Sequence, residues 1–206
     1  MSRNLVSIAL SAVLLAASTL ASAATTDAIS HDPAAVQPGT YTVDSNHTRV
    51  LFSVSHLEFT TWYGEFTKVA GTLDLDPKAV EKSSFEIHIP MSTMSTSNTK
   101  VDGELTSNQW FDAAQFPEIV FKSDKVALTG KDKADVTGLL TMHGVTKPVT
   151  LAVKFNAAGM NPLAKKYTVG FELSGKIKRS DFGVKTYLPL IGDDVDLIIS
   201  AAFEHT

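Results

Sequence analysis

The sequence predicts an all-β fold, an eight-stranded antiparallel barrel, on three observations. Apolar and polar residues alternate with a period of two in eight segments between Tyr41 and Phe203, which is the pattern of strands with one dry face. Residues that favour turns, such as Gly, Pro and Asp, separate these segments. The chain has 206 residues, enough for a single all-β domain with one core. Eight strands can close into a barrel that is filled by its own side chains or holds one small ligand.

The first 23 residues have the organisation of an export signal. A charged start is followed by an apolar run from Leu5 to Leu20 and by the small residues Ala21-Ser22-Ala23. We therefore predict a signal peptide that is cleaved after Ala23. A transmembrane helix is the alternative, but the run is rich in Ala and Ser and no stop-transfer charges follow it.

The rest of the chain is predicted to form one exported domain. Residues 24–40 are small and polar, contain proline and show no periodicity, so we expect a flexible leader. Residues 41–206 then form the barrel domain. With the signal removed, the mature protein is expected to be soluble in the periplasm.

Composition excludes several classes of function. The chain has no Cys, which rules out disulfides, a thiolate nucleophile, a Cys-ligated metal and a lipid-modified N-terminal Cys. It has 18 Lys and Arg against 22 Asp and Glu, and no basic run is longer than Lys165-Lys166. Nucleic-acid binding through phosphate neutralisation is therefore not expected.

The eight predicted strands are recognised by their alternating apolar residues. In chain order these are Val50, Phe52 and Val54 with His56; Val69, Leu73 and Leu75; Phe85, Ile87, Ile89 and Met91; Ile119 and Phe121, then Val126 and Leu128; Val136, Leu140 and Met142; Val149, Leu151, Val153 and Phe155; Tyr167 to Ile177; and Val195 to Phe203. The phase of the second strand slips near Thr67, which predicts a β-bulge, and the phase of the fourth changes before Val126.

The alternation stops between Met91 and Pro117, in the connection between the third and fourth strands. Ser97 or Asn98 could cap a short helix in this stretch. Because long loops in compact domains are usually functional, we predict that it covers one mouth of the barrel, with Trp110 and Phe111 at the cover.

Inward-facing residues of the strands define a candidate ligand-binding site. Besides Trp110 and Phe111, the predicted members are Phe52, Val54, His56, Phe85, Ile87, Phe121, His143, Val169, Phe171 and Arg179. Taken singly, each residue is more typical of barrel core than of a ligand contact, because a small barrel fills its own interior.

Arg179 places a guanidinium at the end of a dry face, since it follows Phe171 and Ile177 in phase. Its fork can donate two hydrogen bonds at once, which suits an anionic or carbonyl-bearing ligand head. The alternative is a salt bridge at the rim with Asp181 or Asp44. The sequence leaves both interpretations open.

Motifs of catalysis and metal binding are not found in the sequence. It contains no nucleophile elbow, P-loop, HExxH or dinucleotide fingerprint. His47 and His56 are nine residues apart on what may be one strand, and at about 3.3 Å per residue they are too distant to share a metal. A metal or haem site would have to join different strands, and we expect no cofactor.

Several stretches together resemble one protein family. They are Asp44–Leu57, Gly64-Glu65-Phe66 with Gly71, Trp110-Phe111-Asp112 with Phe116-Pro117, Gly138–Val149 and Arg179–Gly183. In this order, from about Tyr41 to the C-terminus, they are similar to the YceI-like family of exported lipocalin-like proteins. The resemblance implies a barrel whose lumen holds a long isoprenoid chain, such as a polyprenyl lipid or an isoprenoid quinone, which is carried or sequestered.

The long connection departs from the family pattern. Where the family often has an acidic-basic pair and a His-Leu-Arg stretch, this chain reads Asp102-Gly103-Glu104-Leu105-Thr106-Ser107. The polar end of the ligand is therefore expected to differ from that of other members.

We predict a soluble periplasmic protein that binds or carries an isoprenoid lipid, with transient membrane contact for loading. The oligomeric state stays open, a dimer included. The alternative is an enzyme acting on an isoprenoid or other amphiphilic ligand in the same cavity, with His56, His143 or Arg179 as polar participants. A third class, an outer-membrane barrel, fits less well, because outward residues of the seventh strand include Glu172 and Lys178.

Overall fold

A computed structural model describes residues 28–206, so the predicted signal peptide lies outside the described residues. The strands are β1 (Gly39–Val43), β2 (Arg49–His56), β3 (Thr60–Phe66), β4 (Ala70–Leu75), β5 (Ser84–Pro90), β6 (Glu118–Leu128), β7 (Lys133–Met142), β8 (Val145–Asn161), β9 (Lys166–Lys178) and β10 (Ile191–His205). The helix α1 spans Thr99–Leu105. Among the described residues, no helix is both long and apolar enough to cross a membrane.

Eight strand positions close into an antiparallel barrel, as the sequence predicts. The ring runs β1, β4, β5, β6, β7, β8, β9 and β10, and β10 pairs back with β1. The β2–β3 hairpin extends the wall, because β2 also pairs with β10. β1 and β2 both pair with β10, so together they occupy one position in the barrel. The first predicted strand therefore corresponds to two strands. The second is likewise broken into β3 and β4, which pair with β2 and β1.

The break between β1 and β2 is a local turn around Asp44. Its carboxylate accepts hydrogen bonds from the backbone N–H groups of Asn46 and His47, at 3.0 and 3.3 Å. An Asp that binds the backbone in this way favours a turn over extended chain. The strand resumes at Arg49.

The two changes of phase in the sequence correspond to real irregularities. Next to Thr67, Lys68 has a φ of 57°, a left-handed conformation that ends an extended strand. Before Val126, the β6–β7 pairing shifts register between Ser123 and Lys125. The first irregularity separates two strands, and the second is a bulge within one.

The predicted helix forms in the long connection. The Asn98 side chain accepts hydrogen bonds from two backbone N–H groups of the first turn, at 3.2 and 3.3 Å. The helix ends at Leu105, short of Trp110. The hydroxyls of Thr106 and Ser107 donate to carbonyls of the last turn, and such side-chain bonds compete with continued helix.

The segment before β1 is packed against the barrel from Ser30 onward, which differs from the flexible leader predicted for residues 24–40. Ser30 forms an isolated antiparallel bridge with Ala158, and Val36 is 5% exposed. Burial of this valine and the backbone bridge offset the loss of chain freedom. We call residues 30–36 the N-terminal strap.

The alternating strand directions give the barrel two distinct ends. The mouth carries the β2–β3 turn, the connection with α1, and the segment between β9 and β10. The base carries the β4–β5, β6–β7 and β8–β9 connections together with the strap. At the base lies a compact cluster of buried side chains that includes Tyr41, Val169 and Phe203.

Candidate functional site: an apolar cavity in the barrel

A cavity of about 780 Å³ occupies the barrel. All ten strands contribute lining residues, and most of these residues are apolar. The volume is within the range of roughly 300–1,000 Å³ that is typical of small-molecule sites. The alternating pattern thus surrounds an internal space instead of a fully packed core.

Ten of the twelve residues predicted from the sequence line this cavity. They are Phe52, Val54, His56, Phe85, Ile87, Trp110, Phe111, Phe121, Phe171 and Arg179. That these residues contact a ligand stays a prediction.

Val169 and His143 do not line the cavity. Val169 is fully buried in the base cluster, where side chains such as Tyr41 fill the barrel. Its inward phase was predicted correctly, but its height along the barrel was not. His143 has a φ of 52° in the β7–β8 turn, and its Nδ1 donates to the Phe182 carbonyl at 3.0 Å. It therefore holds two turns together.

Glycines in the wall make room for two of the cavity aromatics. A Cβ on Gly64 would lie 2.2 Å from Cζ of Phe52, and one on Gly138 would lie 2.5 Å from Cζ of Phe121. Phe52 and Gly64 are direct partners in the β2–β3 pairing. Each ring therefore takes space next to a neighbouring strand that a side chain would otherwise fill. A glycine inside a strand is a known signal of such close approach, so Gly64 and Gly138 could have been identified from the sequence as wall positions.

Aromatic side chains surround the mouth of the cavity. The His56 and Trp62 rings are stacked with centroids 5.4 Å apart, and Trp110 meets Tyr187 edge-on at 6.0 Å. Both tryptophans of the chain line the cavity, so intrinsic fluorescence can report on its contents. Trp62 and Tyr187 were not predicted, because neither lies in a strongly alternating segment.

Arg179 binds backbone carbonyls of the β9–β10 connection and of the first two residues of β10. Its Nε donates to Gly192 at 2.8 Å and one terminal nitrogen donates to Val184 at 3.0 Å. The other terminal nitrogen donates to Thr186 at 3.0 Å and to Ile191 at 2.8 Å. Four of the five N–H donors of a guanidinium are thus committed. Arg179 thereby satisfies hydrogen-bond acceptors of this stretch of backbone.

This arrangement corrects the predicted rim salt bridge, while a contact between Arg179 and a ligand head stays a prediction. The side chain is 4% exposed, and within residues 28–206 it forms no salt bridge with Asp181 or Asp44. Its guanidinium carbon lies 5.2 Å from the centre of the Trp110 ring, a cation–π contact. Burial lowers the pKa of Arg179, and the charge of Asp193 opposes this shift. Arg179 supports the mouth and has little capacity left for a ligand head.

The long connection is tied to the same scaffold. The Thr186 hydroxyl donates to the carbonyl of Gln109, next to Trp110, and both Trp110 and Phe111 line the cavity. Trp110 is 7% exposed. The predicted cover is therefore held by the segment that Arg179 organises.

Residues 41–203 match the family model described as YceI-like domain. The chain belongs to the YceI-like family. It is 38% identical over 157 residues to Protein YceI of Escherichia coli O6:H1, in an alignment that covers 76% of this chain and 81% of the relative.

Solved structures of similar fold agree with this assignment. BcnA of Burkholderia cenocepacia superposes with a TM-score of 0.70 at 25% identity, covering 78% of this chain and 98% of BcnA. A polyisoprenoid binding domain from Saccharophagus degradans gives a TM-score of 0.59 at 14% identity, covering 82% of this chain and all of that domain. At this identity, the second likeness concerns the fold.

Asp102, in the long connection of this YceI-like chain, has a structural role. The Asp102 carboxylate accepts hydrogen bonds from the backbone N–H and the hydroxyl of Thr96, both at 2.7 Å. These bonds hold α1 against the preceding chain. Glu104 and Leu105 line the cavity from the same helix.

The strap lies at the base of the cavity in this YceI-like chain. Asp32, Pro33 and Val36 line the cavity there, and Asp32 lies 3.7 Å from Nζ of Lys131. Below them Tyr41 is fully buried, and burial, with the nearby Tyr167, raises the pKa of its hydroxyl.

Polar groups do not converge on a reactive centre among the described residues. No group of three or more His, Asp or Glu side chains is placed to hold a metal ion in residues 28–206. Of the three polar participants in the enzyme alternative, His143 lies outside the cavity and Arg179 is committed to the backbone. His56 alone keeps a position from which it could act on a ligand.

Proposed function

We propose that this YceI-like protein binds a long isoprenoid lipid in the barrel lumen and carries or stores it in the periplasm. The observation that carries the proposal is the apolar cavity, to which every strand contributes. The fold shared with a polyisoprenoid binding domain from Saccharophagus degradans supports it. The alternating sequence therefore serves to line a cavity for an apolar ligand.

The energetics favour an apolar tail. Each buried methylene contributes about 0.8 kcal/mol, so one five-carbon unit contributes roughly 3 to 4 kcal/mol before ordering costs. Non-covalent affinities saturate near about −20 kcal/mol, so much of the burial of a long tail is offset by the entropy of straightening it. A few units are enough for tight binding.

The mouth favours a neutral head group over a phosphate. Among the described lining residues at this end, the charged side chains are Glu104 and Arg179, and Arg179 already binds four backbone carbonyls. A phosphate there would meet the Glu104 carboxylate, and the Arg179 guanidinium would have a single N–H left to donate to it. A hydroxyl or a quinone carbonyl needs one hydrogen bond, which His56 can supply.

The first test is what the protein holds. Organic extraction of protein purified from its native compartment, followed by mass spectrometry, is expected to recover an isoprenoid. In a second assay, farnesol added to delipidated protein is expected to change the emission of Trp62 and Trp110. Farnesyl phosphate is expected to bind more weakly than farnesol.

A matched pair of glycine variants tests where the lipid lies. Gly64→Ala pushes Phe52 into the lumen, because the new Cβ would lie 2.2 Å from its ring, and we expect about a tenfold loss of farnesol affinity. Gly170→Ala is the control, since its Cβ would have no neighbour closer than 3.9 Å. Equal affinities in both variants, or no lipid by either assay, would contradict the proposal.

A further inference from the structure

Large apolar side chains are exposed around the mouth of the barrel. The exposed fractions are 87% for Phe59, 68% for Tyr63, 59% for Leu190, 55% for Tyr187 and 39% for Leu57. We call these five residues the mouth patch. They come from two segments, the β2–β3 hairpin and the chain that leads into β10.

The two segments that carry the mouth patch are adjacent. The backbone N–H of Leu57 donates to the carbonyl of Leu190 at 2.8 Å. Tyr63 and Tyr187 belong to the patch and also line the cavity. The apolar surface therefore passes from the outside of the protein into the lumen at this point.

The backbone of the patch is an independent indication of function. Leu57 has a φ of 54° and Tyr187 a φ of 59°, in the left-handed region that favours Gly or Asn. Bulky residues rarely occupy such positions, and they persist where a function needs them. Here two strained turns present large apolar side chains to solvent, where a smaller residue would fit the backbone better.

We propose that the mouth patch docks the protein on an electrically neutral lipid bilayer, so that the lipid passes between bilayer and cavity without crossing water. This inference rests on the proposed function. Aromatic side chains with a polar tip, such as Tyr63 and Tyr187, favour the boundary between membrane and water. The segments 57–59 and 184–190 contain one acidic and one basic residue, Glu58 and Lys185, so the patch carries no net charge and binding is expected to depend on apolar burial.

The experiment separates docking from binding. Delipidated protein is mixed with phosphatidylcholine vesicles that contain solanesol, and uptake is followed by the emission of the two cavity tryptophans. For the double variant Phe59→Ser/Leu190→Ser we expect uptake at least about tenfold slower, because two apolar side chains no longer enter the bilayer. Its affinity for farnesol in solution is expected to stay within about twofold of the parent, since neither residue lines the cavity.

Leu163→Ser is the control. Leu163 is 91% exposed in the turn between β8 and β9, at the opposite end of the barrel. This variant loses a similar exposed apolar side chain, and its uptake rate is expected to match the parent. The unfolding midpoints of all variants are measured to show that each is folded.

Three results would overturn the inference. One is equal uptake by the double variant and the parent while farnesol binding is intact. A second is a parent dimer that becomes monomeric in the double variant with no change in uptake, which would make the patch an interface between two copies. A third is uptake that rises strongly when anionic phosphatidylglycerol is added, which would place docking on charge. Failure of farnesol to bind the parent would instead overturn the proposed function, and this inference with it.

Discussion

The two ends of the barrel are stabilised in different ways. At the base, apolar side chains such as Val169 pack into the interior, and the N-terminal strap is bridged to β8. At the mouth, a buried guanidinium holds loop carbonyls in place and leaves the centre open. The comparison shows that hydrogen bonds to one buried side chain can order one end of the barrel, whereas apolar packing orders the other.

Arg179→Met should change stability more than the other substitutions that test this difference between the two ends. It leaves loop carbonyls without donors, and we expect a loss of about 4 kcal/mol in the free energy of unfolding, measured with urea. Hydrogen exchange should increase in residues 183–192 and stay slow in β8. Lys178→Met, at the exposed neighbouring position, is the control. A uniform increase in exchange across the barrel would show that the two ends are not independent.

Val169→Ala tests the base. Loss of two buried methyl groups should lower the free energy of unfolding by about 2 kcal/mol, with farnesol affinity unchanged, because Val169 does not line the cavity. Val54→Ala makes the same chemical change on a residue that does line it, and there we expect the affinity to fall and stability to change less. Denaturation and fluorescence titration of both variants are the measurements. The reverse pattern would mean that the ligand lies at the base.

Asp193→Asn should have the smallest effect, and it concerns pH. Partial burial raises the pKa of Asp193. Two hydrogen bonds from Ser180 and the charges of Lys178 and Arg179 lower this pKa by more than burial raises it, so the net shift is downward. A lowered pKa gives stability that is present above the unfolded-state value, about pH 4, and is lost as the pH falls through the folded-state value.

We therefore expect Asp193→Asn to cost less than about 1 kcal/mol near neutral pH, with the difference from the parent fading in acid. Urea unfolding of variant and parent, near neutral pH and again in acid, measures this difference in the free energy of unfolding. Asp194→Asn is the matched control, because Asp194 is an exposed ion-pair partner of Lys178 at 2.8 Å. Added salt should therefore reduce the stability change of Asp194→Asn more than that of Asp193→Asn. A difference for Asp193→Asn that persists in acid would assign it to hydrogen-bond geometry instead of charge.

The sequence predicted the features that depend on local periodicity. The inward phase of Phe52 and Phe121, the Asn98 cap and the number of barrel positions all follow from residues close together in the chain. The height of a residue along the barrel does not, and this is why Val169 was assigned to the site. Strand register fixes that height, and register depends on partners distant in sequence.

The role of Arg179 was not predictable for a related reason. Its partners are backbone carbonyls of Val184, Thr186, Ile191 and Gly192, and a carbonyl has no signature in the sequence. The strap was missed because Val36 is a single buried residue in a polar segment. In both cases the decisive contact is non-local and gives no periodic signal.

The glycines behind Phe52 and Phe121 have a practical consequence for engineering. The calibre of the channel is set at two wall positions, Gly64 and Gly138, that have no side chain of their own. A methyl group at Gly64 would meet the Phe52 ring first and would narrow the channel, whereas one at Gly138 would also lie 2.5 Å from the backbone carbonyl oxygen of Lys122. Redesign of this barrel for ligands of a different width can therefore begin at the glycines that lie against the aromatic rings.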